Sequence, residues 1–137
     1  MIIYDINFTF VIADGIQSSV TVEEGERATL ECPGFVPDPD NPAERYAVFN
    51  WYKARKFDID GSNKVAVYDK GHNLGRITGG LEGRASINRT TGALKIHETS
   101  VIDDHYYTCD FRDTAKGTIS SETKLAVALS GKLYSQG

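Results

Sequence analysis

Two cysteines carry the most consequential chemistry in this sequence. Cys32 and Cys109 are too far apart to form a zinc site, which needs close pairs such as Cys-x-x-Cys. They are either two unpaired buried thiols or the ends of one long-range disulfide. In the chain-entropy model, a disulfide that closes a loop of this length stabilises the fold by about 4 kcal/mol.

Two asparagines fit the acceptor pattern for N-linked glycans. Asn7 begins Asn-Phe-Thr and Asn88 begins Asn-Arg-Thr, so both are candidate glycosylation sites. Glycans and disulfides are both typical of proteins that fold in oxidising compartments. Together they favour an extracellular protein, either secreted or the ectodomain of a cell-surface protein.

Catalytic and metal-binding patterns are weak throughout the chain. The histidines, His72, His97 and His105, fall on separate segments, and none has a nucleophile placed beside it. Residues 58–61 (Asp-Ile-Asp-Gly) match only the beginning of a calcium-binding loop. Residues 71–80 contain glycines but lack the lysine and following helix of a phosphate-binding loop, so we interpret them as a flexible connection. We therefore expect no enzyme activity, no metal site and no cofactor.

Length and charge limit the remaining classes of function. A chain of 137 residues can bury one sizeable core but not two ordinary domains. Its net charge of −4 argues against nucleic acid and anionic membranes as partners. No stretch of the sequence approaches the roughly 18 apolar residues of a membrane-spanning helix. We expect one domain over residues 1–129, followed by a stalk or linker over residues 130–137.

Short alternating runs of apolar and polar residues dominate the chain. For example, Phe49 and Trp51 share one face of their run, while Asn50 and Tyr52 share the other. Glycine turns separate the runs, and we expect hardly any helix beyond a turn near residues 99–103. The pattern predicts an all-β sandwich or barrel of about nine strands. The predicted strands cover residues 6–12, 19–26, 28–32, 48–53, 64–69, 84–88, 93–97, 106–111 and 123–129.

Six residues carry a resemblance to a known family. A cysteine is followed by a tryptophan, an arginine and then Asp-x-x-x-Tyr-x-Cys. From about Val20 to Leu129 the sequence resembles a variable-type (V-set) immunoglobulin domain, a Greek-key β-sandwich. The resemblance implies a disulfide across the core, an ion pair between the arginine and the aspartate, and a tyrosine hydroxyl bonded to the preceding corner. These structural residues are Cys32, Trp51, Arg84, Asp103, Tyr107 and Cys109, with Leu30 beside the first cysteine in the core.

The details of the sequence are similar to invertebrate branches of the family. Residues 81–96 and the proline-rich first loop resemble the V-region chitin-binding and V-J type proteins of amphioxus and the allorecognition receptors of cnidarians. Antigen-receptor domains carry a Phe-Gly-x-Gly bulge before the last strand, where this chain has Ile119-Ser-Ser-Glu122. This departure argues against pairing of the heavy-plus-light type, which depends on the bulge.

The C, C′, F and G strands of V-set domains form a sheet face that commonly binds proteins. The resemblance and the alternation of the strands therefore predict a cell-surface recognition or adhesion module that binds another protein, with a second copy of the chain among the candidates. The candidate partner-binding residues are Asn50, Tyr52, Thr108 and Asp110, with Tyr68 as their neighbour.

An alternative function uses the loop end of the sandwich. Residues 33–45 hold all four prolines, and proline lowers the cost of ordering a binding loop. Together with residues 71–80 and 112–117, this loop would form a site for a microbial or carbohydrate ligand. The protein would then be a secreted or membrane-bound innate immune-type receptor. Substitutions on the sheet face separate the two hypotheses, because they would abolish only the first function.

Overall fold

In the part of the chain that the structure describes, nine strands form two sheets around one core. The computed structural model describes residues 17–33, 48–69, 74–88, 91–113 and 117–129. The strands are β1 (Gln17–Glu23), β2 (Ala28–Leu30), β3 (Val48–Tyr52), β4 (Lys64–Asp69), β5 (Leu74–Ile77), β6 (Ala85–Ile87), β7 (Leu94–Ile96), β8 (His105–Asp113) and β9 (Gly117–Ala128).

The two sheets differ in size. The larger sheet has six strands in the order β1-β9-β8-β3-β4-β5, and the smaller has three in the order β2-β7-β6. β1 lies parallel to β9, whereas the other neighbouring strands are antiparallel. Apolar residues alternate along the strands, so each sheet presents one apolar face to the other, and the two faces form one buried cluster.

The structure confirms the predicted all-β sandwich of about nine strands. Eight of the predicted runs correspond to β1–β4 and β6–β9, while the run at residues 6–12 lies outside the described residues. Residues 71–80 are not simply a flexible connection, because Leu74–Ile77 pair with β4 as strand β5. The described helices are short 3-10 turns, and one of them, Val101–Asp103, lies in the predicted turn region.

A disulfide between Cys32 and Cys109 joins the two sheets across the core, which confirms the pairing that the family resemblance implies. Trp51 is the cross-strand neighbour of Cys109 and is fully buried. Its indole Nε1–H donates a hydrogen bond to the carbonyl oxygen of Gly92 at 2.8 Å. Gly92 has a φ of 77°, and a Cβ there would overlap the ring of Phe49, so the turn requires glycine.

The corner before β8 contains the predicted ion pair. Arg84 binds Asp103 through two hydrogen bonds of 2.8 and 2.9 Å, and Asp103 is only 1% exposed. The Tyr107 hydroxyl donates to the carbonyl oxygen of Asp103 at 2.8 Å. Burial acts to raise the pKa of Asp103, but the hydrogen bonds from Arg84 and from the Ser100 backbone N–H outweigh it and lower the pKa. The corner is therefore a fully bonded structural unit.

The hairpin of β8 and β9 is regular along its whole length. Its register runs without a shift from His105 opposite Leu125 to Asp113 opposite Gly117. The antigen-receptor bulge is therefore absent from this hairpin, as the residues at 119–122 predict. β9 instead pairs with β8 over this whole length and with β1 from Glu122 to Ala128.

Candidate functional site

The candidate site is the outer face of the six-stranded sheet. Directly opposed residues of neighbouring strands lie on the same side of a sheet. The register therefore aligns five side chains across β5, β4, β3, β8 and β9, and we call them the central row. The central row consists of Arg76, Val67, Asn50, Asp110 and Ser120.

Asp110 is a partly buried carboxylate within this row. Burial raises its pKa, and the positive charge of Lys64 opposes that shift without cancelling it. The pKa of Tyr52, which lies in the adjacent row, is raised by burial and further by the negative charge of Asp110. Among the described residues, no cation forms an ion pair with Asp110. The carboxylate is thus partly removed from water, and no described residue forms an ion pair with it.

Asn50 has an unsatisfied acceptor beside that carboxylate. Its side-chain oxygen Oδ1 is buried and has no hydrogen-bond donor within the described part of the chain. A buried polar atom without a partner costs about 1–3 kcal/mol. Asn50 lies directly opposite Asp110, but its Oδ1 is closed to solvent, so of the two groups only the Asp110 carboxylate is within reach of a donor from another molecule. We call these two residues the acceptor pair.

On the adjoining part of the outer face, charged side chains form ion pairs with one another among the described residues. Arg55, in the turn after β3, lies 4.1 Å above the ring of Tyr106 and forms an ion pair with Glu122 at 3.2 Å. Lys124 forms a second ion pair with Asp104 at 2.7 Å. We call these five residues the closed group. Their charges are used inside the domain, so they contribute rigidity to the face rather than open binding capacity.

Two of the predicted contact residues are not accessible on this face, and their prediction is wrong in that respect. Thr108 faces outward but is fully buried beneath the turn after β3, where its hydroxyl donates to the carbonyl oxygen of Ala54 at 2.8 Å. Tyr68 faces the core and is 8% exposed, because it lies opposite the inward residue Phe49. Asn50, Tyr52 and Asp110 keep their predicted place on the outer face.

Sequence reasoning missed two residues that belong to this surface. Arg76 was not predicted to lie on this face, because its segment contains glycines and resembles a connection rather than a strand. Phe57, in the turn after β3, is 92% exposed, and the ammonium of Lys56 lies 5.9 Å from its ring. A phenylalanine between charged residues in a predicted turn is a signal that could have identified it.

The remaining predicted sites fall partly outside the described residues. Asn7, residues 34–47 and residues 114–116 lie outside them. Asn88 is exposed after β6, and its side-chain oxygen accepts a hydrogen bond from the Thr91 backbone N–H at 2.9 Å. Glycosylation of both asparagines stays a prediction, as does binding through the loop end.

Neither a metal-binding cluster nor a membrane-spanning helix occurs in the described ranges. Within them, no group of three or more histidine, cysteine, aspartate or glutamate side chains is placed to hold a metal ion. None of the helices in those ranges has the length and apolar character needed to cross a membrane. The Asp58–Gly61 segment is a capped turn, in which Asp60 accepts hydrogen bonds from the backbone and hydroxyl of Ser62.

The two sheets, the disulfide between them, the tyrosine corner and the parallel β1–β9 pair define an immunoglobulin-type variable domain. The immunoglobulin V-set domain model matches residues 16–128, and the chain belongs to this family. Domains of this family are usually extracellular. A search of curated proteins finds no match.

Solved structures with the same fold come from vertebrates and amphioxus. The first Ig-like domain of human CD48 antigen is 19% identical, with 88% of each chain covered and a TM-score of 0.69. The V domain of amphioxus IgVJ-C2 is 23% identical, covering 80% of this chain and 99% of that one, with a TM-score of 0.58. The CD2-binding domain of CD58 is 17% identical, covering 82% of this chain and 54% of that one, with a TM-score of 0.59. These likenesses show the fold, and they include a V-J type domain of amphioxus.

Proposed function

We propose that this V-set domain is an extracellular recognition or adhesion module that binds another protein through the outer face of its six-stranded sheet. The observation that carries the proposal is the Asp110 carboxylate on the outer face, which is partly removed from water and has no ion-pair partner among the described residues. A carboxylate that is partly desolvated without a paired cation is unfavourable for a domain that functions alone. A protein partner that brings a cation or an N–H donor to Asp110 would offset that cost on binding.

Aromatic and apolar side chains around the acceptor pair support a protein partner. Tyr52 is half-buried in the adjacent row, Val48 is 42% exposed at the start of β3, and Phe57 projects from the turn after it. Aromatic side chains with a rigid base are frequent anchors in protein interfaces. The face therefore combines apolar anchors with a polar centre that fixes the position of the partner.

The CD58 structure offers a precedent within the fold, because it is described as a CD2-binding domain. Contacts made by single domains of this size are usually weak and become effective when many copies act together. An assay for this function should therefore present the domain at high surface density.

Bead aggregation tests the proposal directly. Beads of one colour carry this domain, and beads of a second colour carry an unrelated V-set domain. We expect only the beads with this domain to cluster, and we expect Tyr52→Ala to disperse them by removing an anchor beside the acceptor pair. The fraction of beads in clusters is the measurement.

A matched control lies on the opposite sheet. Lys95 is partly exposed on β7, so Lys95→Ala changes a surface residue far from the outer face and should leave clustering unchanged. Equal clustering of wild type and Tyr52→Ala, with both proteins folded, would contradict binding through this face. An absence of clustering by the wild type would exclude adhesion between like copies.

A further inference from the structure

The large apolar side chains that remain exposed are gathered at one end of the sandwich. β3 ends at Tyr52, opposite Thr108 on β8. β8 itself begins at His105, opposite Leu125 near the end of β9. The turn after β3 (residues 53–63), the turn before β8 and the residue after β9 therefore lie at the same end, which we call the turn end. Among the described residues, four of the five exposed large apolar side chains lie at the turn end, namely Phe57, Val101, Ile102 and Leu129.

Each of the two most exposed of these side chains has a lysine ammonium beside it. Phe57 is 92% exposed, and the ammonium of Lys56 lies 5.9 Å from its ring. Ile102 is 67% exposed, and its backbone carbonyl oxygen accepts a hydrogen bond of 2.6 Å from the ammonium of Lys53. Among the described residues, neither lysine forms an ion pair. The turn end thus presents two apolar tips, and each tip lies next to a cation.

The turn end is mixed in charge rather than basic. The carboxylates of the closed group are already paired with cations. Asp60 accepts a hydrogen bond from the Ser62 backbone N–H at 2.7 Å, and Asp58 is exposed in the same turn. These two aspartates offset the charges of Lys53 and Lys56. The turn end therefore suits a surface without net charge better than a strongly anionic one.

We propose that the turn end binds the surface of a zwitterionic lipid bilayer, with Phe57 and Ile102 inserted at the boundary between headgroups and acyl chains. Aromatic and aliphatic side chains are stabilised at this boundary, while neighbouring lysine side chains extend toward the headgroup phosphates. Two tips on separate turns suit a fluid surface that closes around each of them, whereas a protein partner would need a separate pocket for each tip. This inference goes beyond the proposed function, which uses the outer face.

Lipid contact at the turn end leaves the centre of the outer face accessible. Asn50 and Asp110 lie opposite each other two residues before β3 ends at Tyr52, so about 7 Å of strand separates the central row from the turn end. The domain would then stand on the bilayer with its outer face turned sideways, and it could bind a protein at the same time. Few side chains enter the lipid, so a single domain should bind weakly and many copies together should bind strongly.

Tryptophan reporters at matched positions test the insertion. Phe57→Trp places an indole at a proposed tip, and Val48→Trp places one at the opposite end of β3, where Val48 is 42% exposed. Phosphatidylcholine vesicles with brominated acyl chains quench the emission of indoles that enter the bilayer. Because the native Trp51 is fully buried, it contributes a constant background. We expect the brominated vesicles to quench the Phe57→Trp variant and to leave the emission of the Val48→Trp variant unchanged.

Sedimentation of the full chain with phosphatidylcholine vesicles measures the affinity. We expect the wild type to bind at roughly millimolar lipid, since only two tips insert. Phe57→Ser and Ile102→Ser should each bind at least about fivefold more weakly, because each removes one apolar tip. Val48→Ser, which removes an exposed apolar side chain at the opposite end, should bind like the wild type. All the substituted side chains are exposed, and circular dichroism verifies that the variants remain folded.

Several outcomes would overturn the lipid contact. A wild type that does not sediment with the vesicles, a Phe57→Trp variant that is quenched no more than the Val48→Trp variant, or serine variants that bind like the wild type would each do so. Binding that requires phosphatidylserine and that the serine variants do not weaken would also overturn it, because charge and not insertion would then hold the domain.

The outcome is separable from that of the proposed function. Loss of bead clustering in the Phe57→Ser variant, without lipid binding by the wild type, would assign Phe57 to the protein-binding surface and overturn the lipid contact. Lipid binding that Tyr52→Ala leaves unchanged, combined with no clustering of beads, would support the lipid contact and exclude adhesion between like copies.

Discussion

Two combinations of an arginine and an aspartate in this molecule differ in how their charges are satisfied. Arg84 and Asp103 form a two-bond ion pair at the corner before β8, with Asp103 fully buried. Arg76 and Asp110 share one row of the outer face but lie too far apart to meet in a single copy. A buried ion pair must be complete for the fold to be stable, whereas an incomplete couple on a surface is available to another molecule.

The largest expected effect is on the inner couple. Asp103→Ala removes both hydrogen bonds to Arg84 and leaves that guanidinium without its carboxylate, so we expect a loss of about 3 kcal/mol in the free energy of unfolding. Denaturant titration followed by tryptophan fluorescence measures it, because Trp51 is buried in the core. The loss should leave the identity of the binding partner unchanged. A variant with wild-type stability and altered partner choice would reverse the roles of the two couples.

A smaller loss in the free energy of unfolding is expected when the pH is lowered. The pKa of Asp103 is lowered in the folded state, so its stabilising contribution is complete above the unfolded value of about 3.9 and is lost as pH falls through the folded-state pKa. The difference in unfolding free energy between wild type and Asp103→Asn should therefore be constant above about pH 5 and shrink below about pH 4. Chemical denaturation at a series of pH values measures this difference. An unchanged difference at pH values where the wild-type carboxylate is protonated would show that the charge of Asp103 does not contribute.

The inner couple could be predicted from the sequence, and the outer couple could not. Asp103, in the turn before β8, is followed at a fixed spacing by Tyr107 and Cys109 on β8, and these residues resemble a family in which that spacing builds the corner. Local periodicity also identified eight of the strands. These features depend on short segments of chain, whose alternation is visible without knowledge of the partner strand.

The outer row depends on register between distant segments, which the sequence does not display. Arg76 enters the row only because Leu74–Ile77 pair with β4, and that pairing was hidden by the glycines around it. Tyr68 was placed on the wrong side because a strand that follows a bulge cannot be assigned a face by counting alone. Thr108 was placed on the correct side, but its burial depends on the turn after β3, which covers it.

The smallest expected effect is a gain in stability rather than a loss, and it is the most direct test of whether Asp110 differs in role from Asp103. Asp110→Asn removes a partly desolvated charge that has no ion-pair partner among the described residues, so the isolated domain should become more stable, by no more than about 0.5 kcal/mol. Thermal and chemical unfolding at concentrations where the protein is monomeric measure this gain, with Lys95→Ala as a surface control.

The same substitution should weaken binding through the outer face, because a partner that contacts this face would lose the Asp110 carboxylate. Greater stability together with weaker association is what distinguishes a residue kept for binding from one kept for folding. Asp103 should show the reverse, with a large loss of stability and no effect on the charge that a partner meets. If Asp110→Asn instead destabilises the domain, the carboxylate belongs to its structural network and is not open to a partner.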